Sequence, residues 1–150
     1  MNFLSRLLTR SQREFDDPIF GHLRQRKDWW LGETVWLNPA HMISVSIEGS
    51  DEPSPGDRTA FLAVREKYGD LLPLIGEALF ELWGKPDASW EGPNPSSSQE
   101  LLALLELDCV FVKSSGRVEL LYGFAGDVWP DAMLTVAVEG GRVKPVSFDD

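Results

Sequence analysis

Carboxylates are the commonest groups in this chain able to do chemistry: 24 Asp and Glu stand against 14 Lys and Arg in 150 residues. Several are close in sequence, namely Asp16 with Asp17, Asp51 with Glu52, Asp127 with Asp131, and Asp149 with Asp150. Two acids converging on a cleft can share the work of glycoside hydrolysis or hold a hard cation. None of these pairs has the spaced oxygen-ligand pattern of a calcium loop, and in so acidic a chain adjacency follows from composition. A small carboxylate-dependent hydrolase acting on a polar substrate is therefore the enzymatic alternative, with no pair singled out as catalytic. The two histidines, His22 and His41, have no ligand-like spacing to each other or to Cys109, whereas a zinc site needs three or four such ligands. Cys109 follows Asp108, whose negative charge raises a thiol pKa and makes a poor nucleophile. No GxxxxGK loop, dinucleotide glycine run or nucleophile-elbow serine is present. The expectation is no catalytic residue, no cofactor and no metal.

Tryptophan is the one enriched residue type, at positions 29, 30, 36, 83, 90 and 129. Trp29 and Trp30 are neighbours on an expected strand, so their side chains point to opposite faces and both cannot enter one core. Trp90 and Trp129 fall in expected loops, where partly exposed aromatics serve as binding anchors. Combined with nearby acidic loops, these residues give an expected partner-binding face made of Trp29, Trp30, Asp51, Glu52, Trp90, Asp127, Trp129 and Asp131.

The elements that must position such a face follow from periodicity. Phe3, Leu4, Leu7 and Leu8 share a helical face, so residues 1–14 read as a short amphipathic helix. Residues 29–37 and the alternation of Ile43, Val45 and Ile47 with serines give two strands, an N-terminal hairpin closed at Asn38-Pro39. The segment SDEPSPG at 50–56 is a loop by composition. Asp57 is the expected N-cap of a helix carrying Phe61, Val64, Arg65 and Tyr68, stopped by Gly69. Asp70 caps a second helix over 71–83, with Pro73 in its first turn. A proline-rich loop over 84–96 carries Trp90, and the capping-box spacing of Ser97 and Glu100 opens a third helix ending near Asp108. Four strands follow, over 109–113, 117–124, 133–138 and 142–148, with Ser115-Gly116 and Gly140-Gly141 as tight turns. Strand pair, helices, then strand meander imply one α+β domain over 1–150: a mainly antiparallel sheet of about six strands with two or three helices on one face.

Charge and cysteine usage narrow the setting. Residues 1–27 hold six basic and three acidic side chains, the remainder eight and 21, so +3 faces −13 in a chain of net charge −10. Such a body repels phosphate backbones, which excludes nucleic acid as a ligand, and attracts a basic protein at long range. A single cysteine makes no internal disulfide, and Arg6 interrupts the first apolar run before it reaches signal-peptide length, pointing to the cytoplasm. No apolar stretch approaches the roughly 18 residues of a membrane span, so stable membrane insertion is not expected. A membrane-peripheral accessory protein held by the first ten residues is a further alternative.

Four segments carry a family resemblance: FLSRLL at the start, FDDPIFGHL with the following WWLGETVWL, the EGSDEP loop, and the ending GDVWPDAMLTVAVEGGRVKPV. The chain resembles a family of small bacterial domains of unknown function, some of which are similar to immunity proteins that neutralise a toxin. The resemblance implies an α+β binding domain with a protein partner, such as a toxin, and carries no catalytic residue over.

Overall fold

The computed structural model describes residues 13–84, 92–126, 129 and 131–149. Residues 1–12 of the amphipathic helix expected over 1–14 lie outside them, Arg13 is irregular, and Glu14 already begins a strand. Among the described residues, eight strands form one sheet in which spatial order follows chain order: β1 (Glu14–Asp17), β2 (Gly21–Arg26), β3 (Trp29–Val35), β4 (Met42–Glu48), β5 (Leu105–Val112), β6 (Val118–Phe124), β7 (Met133–Glu139) and β8 (Arg142–Asp149). Between β4 and β5 the chain passes through α1 (Pro55–Glu66), α2 (Tyr68–Trp83) and α3 (Ser98–Leu104).

The C-terminal four-strand meander is as expected. Gly140 and Gly141 have φ of 58° and 76°, the left-handed pair that a two-residue hairpin needs to match strand twist. The N-terminal half corrects the expectation: it is a four-strand meander, and the sheet has eight strands rather than about six. The sheet is mainly antiparallel, as expected; among the described pairings β4 and β5 alone run parallel, with Val45 opposite Val110 and Ile47 opposite Val112. The helical passage returns the chain to the end of the sheet where β4 began, so β5 enters in the same direction.

Helix ends also differ from the expected caps. Ser54, not Asp57, caps α1: the Asp57 amide donates to its hydroxyl at 3.1 Å, and the Asp57 carboxylate accepts from the Ser54 amide at 2.9 Å. Pro55 takes the first helical position, where a missing amide costs nothing. The break to α2 falls at Lys67, so Gly69 lies inside the first turn and Pro73 inside the helix. Ser97 caps α3 as expected, while the Glu100 carboxylate accepts from the amide and hydroxyl of Ser96. The helix stops at Leu104 and β5 begins at once, four residues before the expected strand. No described helix is long and apolar enough to cross a membrane.

Period-two alternation assigns each strand residue to a face. Leu23, Trp30, Val45, Val110, Leu120, Leu134 and Val136 point inward and join Phe61, Ile75, Leu79 and Leu101 of the helices in one buried cluster. The helices therefore cover one face. Asp17, the inward residue at the end of β1, is a charged member of that layer. Its carboxylate accepts from the Ile19 and Phe20 amides at 2.8 and 3.0 Å and meets the Arg58 guanidinium of α1 at 2.6 Å. Burial alone pushes this carboxyl up, but the guanidinium and the two amides outweigh it and hold the group below its ordinary value.

Removing the cation leaves a buried carboxylate with only its two amide donors to offset its charge. Arg58→Ala is expected to cost about 2–3 kcal/mol at pH 7 by urea denaturation. A lowered folded pKa means the stabilisation is present above the unfolded value of about 3.9 and is lost as pH falls through the folded one. The gap between the natural chain and the variant should therefore narrow below about pH 4.

Candidate functional site

The adjacent tryptophans divide between faces, as strand geometry demands. Trp30 is fully buried, and its indole N–H donates to the Asp51 carbonyl at 2.8 Å. This is a core residue, which removes it from the expected partner face. Trp29 looks out of the opposite, helix-free face, half-buried in an edge-to-face pair with Phe111 at 5.5 Å between centroids. The Lys113 ammonium stands 4.8 Å from its ring centroid.

Asp51 and Glu52 are exposed, Glu52 meeting Arg13 at 3.7 Å. Trp129 folds back against Phe124, Phe148 and Trp83 at 5.6, 5.3 and 5.9 Å; exposed Asp131 lies at the same corner. That corner sits beside the end of β6 and the start of β7, opposite to the end carrying Trp29. Four strand spacings of about 4.8 Å and six residues of about 3.4 Å separate the two, on the order of 30 Å. The expected residues therefore do not assemble into one face. Trp90 and Asp127 lie outside the described residues.

What the structure does assemble is a groove of about 890 Å³ on the helix-free face of β2, β3 and β4. Alternation presents His22, Arg24 and Arg26 from β2, and Leu31 and Glu33 from β3. Met42, Ser44 and Ser46 complete it from β4. A Cβ at Gly32 would lie 2.7 Å from the His22 carbonyl oxygen, so only glycine lets β2 approach β3 this closely.

The two ends of the groove differ in chemistry. At the β3–β4 tip, Val35, Leu37 and Met42 are 37%, 58% and 51% exposed, half of the six large hydrophobics that are exposed among the described residues. At the opposite end a further depression of about 270 Å³ is lined by Arg26, Lys27, Trp29, Leu31, Ser46 and Phe111. Neither Arg26 nor Lys27 makes an ion pair among the described residues. His22 and Arg24 are instead matched by β1: His22 Nδ1 is 2.6 Å from Asp16, and Arg24 Nε is 3.5 Å from Glu14.

Of the acidic pairs noted in the sequence, Asp16 and Asp17 diverge, while Asp127 and Asp150 lie outside the described residues. Asp16 lies on the groove face and Asp17 in the core layer. No group of three or more His, Cys, Asp or Glu that could hold a metal ion occurs among the described residues. Cys109 is half-buried, and burial pushes its thiol up to about 11. No family model matches the chain, and neither a curated protein nor a solved structure does.

The hydrogen bond from Asp16, with the charges of Asp16 and Glu14, raises the His22 pKa above its ordinary 6.5. The interaction supports the fold at low pH and fades as pH rises through the folded value. NMR titration of the His22 ring should therefore give a midpoint above 6.5, moving back towards it in Asp16→Asn. A midpoint at or below 6.5 in the natural chain contradicts the pairing.

Proposed function

We propose that this chain is a non-enzymatic binding protein of the immunity or inhibitor type, whose helix-free sheet face receives an extended segment of a protein partner. The carrying observation is the clustering of exposed Val35, Leu37 and Met42 at one end of a groove that ends in unpaired cations and paired aromatics. Apolar side chains exposed together, beside a concavity, mark interaction surfaces. Tryptophan, methionine and arginine are the types enriched at the centres of such surfaces.

The groove runs along β4, seven residues or roughly 24 Å. It suits a segment of about that length with an apolar side chain at the Met42 end and a carboxylate at the Arg26 and Lys27 end. The net charge of −10 acts over longer range and favours a partner that is basic as a whole, such as a nuclease-type toxin. Lys27 itself lies in the two-residue turn between β2 and β3, and its φ of 56° is the left-handed backbone such a tight hairpin needs.

Once a partner is identified by cross-linking in the host of origin, its dissociation constant should rise at least tenfold with Met42→Asp and with Arg26→Glu. Both residues are on the surface, so folding is preserved. Leu74→Asp, at a residue 47% exposed on the helical layer, should leave binding unchanged. Unaltered affinity in both groove variants, or a loss confined to the Leu74 variant, would sink the proposal.

A further inference from the structure

On the helix-covered side, a second cavity of about 500 Å³ opens at the end of the sheet where β4 and β5 begin. Its floor is made by Tyr68, the first residue of α2, and Tyr122 of β6, which are 8% and 2% exposed and hydrogen-bonded to each other through their hydroxyls. Leu72, Leu102, Leu105 and Leu107 give it aliphatic walls, with His41 and Glu106 at the rim.

A proton inventory makes this pair unusual. Two phenols carry two hydroxyl protons, and their mutual bond uses one. Whichever tyrosine donates, the other keeps an O–H for which the described residues offer no acceptor. A buried donor without a partner costs about 1–3 kcal/mol, and both rings line the cavity. Next to Tyr68, with ring centroids 5.2 Å apart, the Trp36 indole N–H is buried and has no hydrogen-bond partner among the described residues.

We propose that this cavity binds a small uncharged molecule carrying a carbonyl acceptor on an aliphatic body. The unused tyrosine proton donates to the carbonyl oxygen, and the leucines cover the hydrocarbon. Volume is in the range of small-molecule sites. Charge disfavours an anion: the carboxylate of Glu106 stands at the rim. Burial raises the pKa of both phenols, so they remain neutral donors at physiological pH.

The test is an amide chemical-shift titration of the full chain with 2-octanone as probe and octanoate as its charged counterpart. Saturable shifts at His41, Leu72 and Leu107 are expected with 2-octanone, and at least fivefold weaker binding with octanoate. Tyr68→Phe and Tyr122→Phe each leave one free hydroxyl proton in the cavity, so each single variant should bind within about twofold of the natural chain. Tyr68→Phe with Tyr122→Phe removes both donors and should weaken binding about fivefold, the worth of one neutral hydrogen bond. Leu72→Trp narrows the cavity without touching the hydroxyls and should abolish the shifts, which keeps the test decisive if the double variant fails to fold. A flat 2-octanone titration, as for a proton satisfied by water alone, overturns the inference. So does undiminished binding in the folded double variant or in Leu72→Trp.

Discussion

A single layer of eight strands has two faces, and three helices crossing between β4 and β5 reach only one of them. Every other property of the molecule answers to that asymmetry. Because successive side chains alternate, each adjacent pair in a strand is divided between a dry layer and a wet one. Asp17 needs Arg58 and two amides because it falls on the dry side, whereas Asp16, one residue earlier, is free to pair with His22 on the wet side. Trp30 gives up its exposure to the core, and Trp29 keeps an aromatic edge in solvent against Phe111. The uncovered face survives in water by mixing small hydroxyls such as Ser44 and Ser46 with cations and a few apolar groups.

The parallel crossover decides where the tyrosine cavity lies. The β3–β4 connection, residues 36–41, is pinned by the amide of Trp36 donating to the His41 carbonyl at 3.1 Å, and His41 in turn approaches the Leu107 carbonyl of β5 at 3.4 Å. One short connection thus carries Leu37 beside the groove on the open face and His41 at the rim of the tyrosine cavity on the covered one. An antiparallel return from α3 would have started β5 at the other end of the sheet, away from this connection, and the cavity would lose Leu105, Glu106 and Leu107. The tyrosine cavity therefore depends on the direction in which β5 enters, whereas the groove, lined from β2, β3 and β4 alone, does not.

Legibility in the sequence followed the strength of local signals. The C-terminal meander was readable because Val118, Leu120, Tyr122 and Phe124 alternate strictly and its turns contain the glycines those turns require. The capping serine of α3 was readable for the same reason. By contrast β2, GHLRQR, has Leu23 as its one fully buried apolar residue among polar neighbours, and β1 has only four residues, so neither resembles a strand until its neighbour is in place. The groove was invisible because its members belong to three strands and meet through register: Leu31 opposite Arg24 on one side and Ser46 on the other. Weighting exposed tryptophans and paired acids pointed to loops, while the structure gathers its exposed apolar side chains at a hairpin tip. The alternation in β2, with His22, Arg24 and Arg26 at every second position, was the available signal.

Face docking is also favoured by how the sheet ends. A partner strand could in principle extend the sheet at either edge, since edge strands present unpaired backbone groups. On one side β1 is too short to template more than a few residues. On the other, β8 carries Lys144 and Pro145, and its register against β7 shifts between Thr135 and Val136. Proline lacks the amide that a new strand would need, a lysine on an edge resists desolvation, and a register shift twists the remaining groups out of line. Both edges are thus blunted against strand addition, so the extended partner segment proposed above would meet the side chains of the concave open face between β2 and β4 rather than backbone amides.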